Sequence, residues 1–200
     1  LADRVVCNSR AVYESFIGWD DSILPENRVR FIPNGVDFDR IDDGEAVDWS
    51  ARDTAGVDDE TILVGTAGMH TEQKDQATLI RALAIARNDS DVRLELVIAG
   101  DGPEADTLRS VVADNDLTNA VHFLGYLNRQ HVYKMLSEID IYAMPSLWEG
   151  FSAAAVEGLA TGNAAVFSEI PPFVQPYSDV ALFHPTVDAK RLADHLFTLT

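Results

Sequence analysis

The sequence predicts an α/β fold, a Rossmann-like open and mostly parallel sheet with helices on both faces. Short apolar runs such as ILVGTA (62–67) and LVIA (96–99) are nearly uninterrupted, as is typical of parallel strands buried on both faces. Stretches with helical periodicity separate these runs, which favours right-handed crossovers between parallel strands. The chain has 200 residues, of which 46% are apolar, so it is long enough for one such domain and globally disordered chains are excluded.

The first 60 residues contain the weaker predictions. Ser9 or Asn8 precedes a helical pattern and has a side chain that caps helices. Glycine in a Pro-Asn-Gly sequence supplies the positive φ that a turn needs. In order, we expect a strand over 4–7, a helix from Ser9 to about Gly18, a strand over 29–32, a turn at Pro33-Asn34-Gly35, and irregular surface over 39–60 with a short helix ending at Gly56.

From residue 62 onward, apolar runs and helical patterns alternate regularly. The apolar runs predict strands over 62–67, 94–99, 121–124, 139–143, 164–167 and 180–183. The intervening patterns predict helices over 75–87, 103–113, 128–138 and 152–160, a turn around Pro171-Pro172, and a last helix from Asp188. The regular alternation predicts one domain over residues 1–200.

The predicted topology brings the unusual residues of the chain together. In open parallel sheets, ligands bind beyond the carboxyl ends of the strands. The loops that leave those ends are 68–74, 100–102, 125–126 and 145–151, and they contain most of the glycines and charged residues that stand directly after a buried strand. We therefore expect a ligand-binding crevice at this edge of the sheet.

Composition restricts the partners. The chain has 33 acidic and 15 basic side chains, a formal net charge of −18 and a pI near 4.4. Such a field repels nucleic acid and anionic lipid, so neither is an expected partner. The acids are scattered along the chain and only three lysines are present. This pattern is typical of a surface adapted to molar salt, although an ordinary acidic protein remains the alternative.

Targeting signals are not evident. No apolar run approaches the roughly 18 residues of a membrane-spanning helix, and the first residues, LADRVVCNSR, do not resemble a secretory signal. A single cysteine, Cys7, cannot form an internal disulfide, which fits a reducing compartment. We expect a cytoplasmic protein. Because the sequence opens within a strand-like pattern and without methionine, we also expect it to be part of a longer chain.

The segment 148–157, WEGFSAAAVE, carries the strongest functional pattern. Gly150 permits close approach of the backbone to a ligand, and Ser152 is placed to cap the following helix. The start of that helix offers unpaired amides and a partial positive charge, which favour an anion. Glu149 lies in the loop, and Glu157 lies just over one turn inside a helix rich in alanine. The alternative is that Glu149 only complements the helix dipole and Glu157 is an exposed surface residue.

A second pattern follows the strand over 62–67. Gly68 comes directly after this strand, and Lys74 stands at the end of the loop, beside Asp75. An ammonium group there would point at the crevice and could neutralise a diphosphate, although a solvated lysine is the ordinary alternative. His70, in the same loop, is a candidate ligand contact.

The segment Gly100-Asp101-Gly102-Pro103-Glu104-Ala105 imitates a dinucleotide-binding fingerprint. Its carboxylates would repel a pyrophosphate, and Pro103 removes an amide donor. We therefore interpret it as a tight structural turn. Acidic pairs such as Asp37/Asp39, Asp89/Asp91 and Asp114/Asp116 have a metal-ligand spacing, but 33 acids produce such pairs by chance, so we assign no metal site.

Several motifs together resemble those of the retaining glycosyltransferases of family four. Glu149-Gly150-Phe151 followed by Glu157 resembles the E-G-F-(x)5-E motif of that family. Further segments resemble its other motifs in the same order along nearly the entire chain, namely Ile32-Pro33-Asn34-Gly35-Val36-Asp37, Gln73-Lys74-Asp75 with Leu79 and Ala82, Ala99-Gly100-Asp101-Gly102-Pro103, Phe123-Leu124-Gly125-Tyr126, and Pro145-Ser146.

The resemblance implies a GT-B fold, in which two Rossmann-like domains face a cleft. This chain would correspond to the end of the acceptor domain and most of the donor domain, so that residues 1–30 include the junction with a missing amino-terminal domain. The resemblance implies a nucleotide diphosphate sugar as the donor, an unidentified acceptor on the missing amino-terminal domain, and no cofactor or metal. The implied catalytic residues are Glu149 and Lys74, and the implied donor-binding residues are Glu157, Gly150, Phe151, Ser152, Gly68, Tyr126 and Leu127.

The resemblance also assigns individual roles. Glu157 would bind the ribose hydroxyls, and Lys74 the diphosphate. Glu149, with the backbone of Gly150–Phe151, would hold the transferred sugar and its phosphate, and the backbone near Tyr126–Leu127 would contact the base.

One departure from the family pattern affects the leaving group. The family often has Gly-Arg where this chain has Gly68-Met69, so one expected cation is missing. Arg129 is a candidate substitute, or the helix that follows Ser152 carries more of the phosphate charge. Met69 favours one alternative, a non-catalytic nucleotide-binding domain, and an NAD-dependent oxidoreductase is another that the acidic turn at 100–104 disfavours.

Overall fold

A computed structural model describes residues 3–17, 24–88 and 92–200 of the chain. Its strands are β1 (Val5–Cys7), β2 (Val29–Phe31), β3 (Ile62–Ala67), β4 (Leu94–Ala99), β5 (Val121–Gly125), β6 (Ile141–Met144), β7 (Ala164–Ser168) and β8 (Leu182–His184). Its helices are α1 (Arg10–Phe16), α2 (Phe38–Glu45), α3 (Ala51–Ala55), α4 (Gln76–Asn88), α5 (Ala105–Asp114), α6 (Arg129–Glu138), α7 (Ala153–Ala160), α8 (Pro171–Tyr177) and α9 (Ala189–Thr198).

Six strands form one parallel sheet in the order β5-β4-β3-β6-β7-β8. The chain runs outward from β3 to β5, then returns to the centre and continues outward from β6 to β8. The order therefore reverses between β3 and β6, and this switch point is where doubly wound sheets bind ligands. The predicted α/β class and parallel sheet are confirmed.

Helices cover both faces of this sheet because successive strand residues point to opposite sides. Val64, Leu96 and Ile98 pack on one side with residues of α4, α5 and α9. Leu63, Val97 and Tyr142 pack on the other side with residues of α2, α3, α6, α7 and α8. The central strands are thus buried on both faces, as their uninterrupted apolar sequences predict.

β1 and β2 form a separate, two-stranded parallel sheet. Helix α1 begins at the predicted cap, where the Ser9 hydroxyl accepts a hydrogen bond from the amide of Val12 at 3.1 Å. Its expected end near Gly18 lies outside the described residues. Gln175 of α8 donates to Glu14 of α1 at 3.1 Å, which ties this sheet to the larger one. That residues 1–30 include a domain junction stays a prediction.

Several sequence predictions are corrected. The turn expected at Pro33-Asn34-Gly35 is wrong, because residues 32–37 form no turn and Gly35 does not have a positive φ. The expected turn at Pro171-Pro172 is wrong, because these prolines occupy the first turn of α8, where an amide hydrogen has no helical partner and the proline φ is already suitable. The strand expected over 180–183 is displaced toward the carboxyl terminus, to Leu182–His184. The segment 39–60 does contain the short helix that ends at Gly56, but α2 precedes it.

Candidate functional site

The loops that follow β3, β4 and β5 surround a cavity of about 300 Å³ at the carboxyl edge of the sheet. Gly68 and Met69 line one side, and Tyr126 and Leu127 line another. Both Tyr126 and Met69 are exposed, at 82% and 62% respectively, so the mouth of the cavity is open. The structure therefore brings Gly68, Tyr126 and Leu127, three of the predicted donor-binding residues, to one cavity.

Beside this cavity, at the switch point, Lys74 and Glu149 form an ion pair. Lys74 Nζ lies 2.5 Å from Glu149 Oε1, and the hydroxyl of Ser146 donates to the same oxygen at 2.9 Å. The side chain of Glu149 is only 5% exposed and that of Lys74 is 21% exposed. A carboxylate this buried requires compensating partners, and these two groups supply them.

Two further contacts hold the loops of this pair together. The amide of Leu147 donates to the carbonyl of Gln73 at 2.8 Å, and the side-chain amide of Gln73 donates to the carbonyl of Trp148 at 2.9 Å. The loop after β3 and the loop after β6 are thereby joined directly beside the ion pair. Their mutual position is fixed without a ligand.

Helix α7 begins at the same edge. Ser152 is its N-cap and accepts a hydrogen bond from the amide of Ala155 at 3.2 Å. The cap satisfies one amide of the first turn, which leaves Ala153 and Ala154 with amides that have no acceptor within the helix. The helix start therefore presents donors and a partial positive charge at the end of the loop that carries Glu149.

Glu157, five positions into α7, is oriented by helix α6. The phenol of Tyr133 donates to Glu157 Oε1 at 3.1 Å, and Arg129 Nη1 lies 3.4 Å from that oxygen. Glu157 is 12% exposed and Arg129 is 60% exposed. The alternative of a freely solvated Glu157 is therefore wrong, because this side chain is mostly buried and has partners on another helix.

Arg129, the candidate substitute for the missing cation, contacts Glu157 and Tyr133 in this structure. It does not line the cavity at Met69, and instead lines a separate one with Arg40 and Tyr133. Its role at the phosphate stays a prediction.

Tyr142 lies beneath the site. It is fully buried on β6, and its burial, together with the negative charges of Glu157 and Glu149, raises the pKa of its phenol. Sequence reasoning missed Tyr133, Tyr142 and Ser146. A tyrosine on a helix and one in a strand give no pattern of their own, and only the small residue Gly158 opposite Tyr142 could have suggested close packing there.

The turn at Gly100-Asp101-Gly102 supports the loop after β3, and Gly100 and Asp101 also line the cavity. Gly100 has a φ of +137°, and a Cβ on it would lie 1.9 Å from the carbonyl oxygen of Gly68. The amide of His70 donates to the carbonyl of Asp101 at 2.9 Å. The turn is thus packed under the loop after β3, which agrees with its structural interpretation.

His70 is only 2% exposed, and its ring lies 6.1 Å from that of Phe123. Burial lowers the pKa of its imidazole. His70 therefore belongs to the interior of the loop in this structure, and its predicted ligand contact has no support from the geometry.

Gly150 and Phe151 face the smaller sheet. Phe151 lines a cavity of about 220 Å³ together with Arg10, Phe31 and Pro172. A Cβ on Gly150 would meet only Val12, at 3.8 Å. These two residues therefore lie between the ion pair and the β1–β2 unit.

Within residues 3–17, 24–88 and 92–200, no group of three or more His, Cys, Asp and Glu side chains is arranged to hold a metal ion. The pair Asp89/Asp91 lies outside the described residues. The helices of the described part are also too short or too polar to cross a membrane.

The chain matches known proteins over most of its length. A family model described as "Glycosyl transferases group 1" matches residues 47–199. A putative glycosyltransferase of Bacillus subtilis, EpsF, is 29% identical over 149 residues, which cover 74% of this chain and 38% of that protein. A Campylobacter jejuni enzyme named N-acetylgalactosamine-N,N'-diacetylbacillosaminyl-diphospho-undecaprenol 4-alpha-N-acetylgalactosaminyltransferase is 30% identical over 168 residues, which cover 84% of this chain and 42% of that protein.

Solved structures share the fold. Anabaena Alr3699/HepE, in complex with UDP and glucose, superposes with a TM-score of 0.82 at 23% identity, over 99% of this chain and 53% of that one. Sucrose-phosphate synthase of Thermosynechococcus elongatus superposes with a TM-score of 0.76 at 20% identity, over 100% of this chain and 49% of that one.

This chain spans about half the length of these relatives or less. Its parallel sheet and the cavity at the carboxyl edge agree with the predicted fold class, and the family match covers about three quarters of its residues. The chain therefore belongs to the group 1 glycosyl transferase family.

Proposed function

We propose that this chain is the donor-binding part of a retaining glycosyltransferase of family four, which transfers a glycosyl group from a nucleotide diphosphate sugar without a metal ion. The observation that carries the proposal is the grouping of Lys74, the amides at the start of α7, and Glu157 around the switch point, next to an open cavity. A cation and helix amides suit a pyrophosphate, and a buried carboxylate suits the hydroxyls of a ribose.

Each part of the donor has a place in this arrangement. The cavity at Gly68, Tyr126 and Leu127 takes the base, and Glu157 accepts hydrogen bonds from the ribose. Lys74 and the start of α7 after Ser152 bind the diphosphate. Glu149, with the backbone of Gly150 and Phe151, holds the transferred sugar between the two sheets.

The proposed reaction follows from where charge develops. The bond between the anomeric carbon and the phosphate oxygen breaks, and the electron pair leaves with the nucleoside diphosphate. Lys74 and the α7 amides stabilise this negative charge because the fold holds them at the switch point before the reaction begins. An acceptor hydroxyl forms the new bond on the same face of the sugar, and its proton passes to the departing phosphate oxygen. The configuration is then retained, and neither a cofactor nor a metal is needed.

The comparisons with known proteins support a nucleotide sugar as the donor. Structural neighbours contain UDP, glucose or UDP-glucose, and a relative in Campylobacter jejuni is named for the transfer of N-acetylgalactosamine. An acceptor on the part of the protein that this chain lacks completes the proposal, with the cytoplasm as the location.

Titration calorimetry with UDP- and GDP-sugars tests the proposal. Wild-type protein should bind one of them, NADH should not bind, and Glu157→Ala should abolish binding because the ribose hydroxyls lose their acceptor. Glu45→Ala, on the exposed end of α2, is the matched control and should bind as wild type does.

The same titrations separate the alternatives. Undiminished affinity of Glu157→Ala, or binding of NADH in place of the nucleotide sugars, would overturn the assignment. Binding without sugar transfer or donor hydrolysis by the full-length protein would favour the non-catalytic domain that Met69 suggests.

A further inference from the structure

Within the described residues, only one of the two carboxylate oxygens of Glu157 has partners. Both the Tyr133 phenol, at 3.1 Å, and Arg129 Nη1, at 3.4 Å, contact Oε1. Within the described residues, the hydrogen bonds and ion pairs of this side chain all end on Oε1. One carboxylate oxygen is thus bound by α6, and Oε2 is left as an acceptor for a ligand.

The phenol that holds Glu157 is itself rigidly placed. Tyr133 is only 2% exposed and packs against Gly44 of α2, where a Cβ would lie 2.5 Å from the Cβ of Tyr133. Only glycine allows α2 to approach α6 this closely. The ring is therefore confined between two helices, and its hydroxyl has a defined position relative to α7.

The proton of this hydrogen bond lies on the phenol. Burial and the charge of Glu157 raise the pKa of Tyr133, so the phenol stays protonated at neutral pH and donates to the carboxylate. A hydrogen bond to an ionised acceptor is stronger than one between neutral groups. Arg129 lies farther from Oε1, at 3.4 Å, and its side chain is 60% exposed, so solvent weakens its pairing with Glu157.

We propose that Tyr133 is a positioning residue that turns Glu157 so that Oε2 faces the ribose hydroxyls, and that this makes the site selective for ribonucleotides. The inference rests on the proposed function of Glu157. Without the phenol, the carboxylate rotates toward Arg129 and solvent, and the ribose hydroxyls lose an oriented acceptor. The base and the diphosphate keep all of their contacts.

Tyr133→Phe tests this role, because the ring still fills the space beside Gly44. Affinities are measured for UDP and for 2′,3′-dideoxyuridine 5′-diphosphate, or for the matching guanosine pair if GDP binds the wild type more tightly. The variant should lose about tenfold in affinity for the ribonucleotide, as expected for one hydrogen bond to a charged group. Its affinity for the dideoxynucleotide should not change.

Tyr177→Phe is the matched control, since it removes a half-buried phenol on α8 that packs against Phe167, and it should bind both nucleotides as wild type does. Gly44→Ala is a second test. Its Cβ displaces the Tyr133 ring, so it should produce the same loss for the ribonucleotide alone.

The outcomes separate this inference from the proposed function. Equal weakening of both nucleotides by Tyr133→Phe would assign Tyr133 a purely structural role and overturn the inference, as would no weakening at all. Wild-type protein that binds neither nucleotide would overturn the proposed function together with the inference.

Discussion

At the scale of single residues, Lys74 is the most consequential charge in the chain. It is one of three lysines, it lies at the switch point of the sheet, and its ammonium is paired with a carboxylate that is 5% exposed. Glu149 and Lys74 therefore neutralise each other when no donor is bound. In the proposed site, a diphosphate brings two or more negative charges, and Lys74 is the cation that we propose binds it.

Lys74→Ala should weaken nucleoside diphosphate binding about ten- to a hundredfold, because a charge-assisted contact is lost and Glu149 is left without its cation. Binding of the nucleoside alone should change little. Calorimetry with UDP and uridine, or with GDP and guanosine, measures both effects. Lys190→Ala, at the exposed start of α9, is the control, and an equal loss for nucleoside and diphosphate would contradict the phosphate role.

Two buried histidines should make stability depend on pH. Burial is the main cause that lowers the pKa of both His70 and His184 below the ordinary 6.5. The folded chain then binds fewer protons than the unfolded chain, so the free energy of unfolding is constant above about pH 7 and falls as pH drops below 6.5. Each histidine contributes at most about 1.4 kcal/mol per pH unit in that window.

Denaturant unfolding at pH 7.5 and at pH 5.5 measures this dependence. His70→Leu, which has a similar volume and no titratable group, should show a smaller loss of stability between the two pH values than wild type. A loss of the same size in this variant would show that His70 does not contribute.

At the scale of elements, α7 lies unusually close to the sheet because of Gly158. A Cβ at this position would lie 2.2 Å from Cδ1 of Tyr142 on β6. Glycine lowers helix propensity by about 1 kcal/mol relative to alanine, yet here it permits the helix to rest on an aromatic ring. The residue before it is Glu157, so the depth of α7 also sets the height of that carboxylate above the sheet.

Gly158→Ala should therefore destabilise the protein by about 1–3 kcal/mol, as overpacking does, and should weaken nucleotide binding because α7 is lifted. Thermal unfolding and calorimetry measure the two effects. Gly35→Ala, where a Cβ meets nothing within 4 Å, is the control. Tyr142→Leu in the Gly158→Ala background should restore part of the stability, and no recovery would contradict the proposed contact.

The sequence predicts elements better than it predicts contacts between them. The strand over 62–67 is found at its predicted bounds. A continuous apolar run of this length is typical of a strand that is covered on both faces of a sheet. The turn at Pro171-Pro172 was wrongly predicted because proline breaks a helix interior but suits its first turn. The contact of Tyr133 with Glu157 could not be predicted, because these residues are 24 positions apart and lie on different helices. Helical periodicity relates only residues within one helix.

At the scale of the whole molecule, the order of strands in the sheet brings motifs that are distant in sequence together in one site. The sequence predicts which loops leave the carboxyl ends of strands, and Lys74 and Glu149 both lie in such loops. Their contact depends on β3 and β6 being neighbours in the sheet. Along the chain, Lys74 and Glu149 are 75 positions apart, and β4 and β5 lie between the strands that they follow. Order in the sheet arises from long-range packing, so the ion pair was not predictable from spacing.

Net charge is the other property of the whole molecule, and it should make stability depend on salt. A charge of −18 on 200 residues produces mutual repulsion that destabilises the compact state. At about 0.1 M salt this repulsion is felt over roughly 10 Å, whereas at 1 M it is screened within about 3 Å. If the surface is adapted to a salty cytoplasm, as we propose, the fold reaches its full stability only in concentrated KCl.

The melting temperature should therefore rise steadily between 0.1 M and 2 M KCl. A variant in which Asp42, Asp43, Glu45 and Asp48 become Asn, Asn, Gln and Asn removes four exposed charges around α2. It should melt higher than wild type at 0.1 M KCl and respond less to added salt, because less repulsion remains to be screened. A melting temperature that falls as KCl is added would contradict the halophilic interpretation. An equal rise in wild type and variant would show that salt acts through general solvent effects and not through these charges.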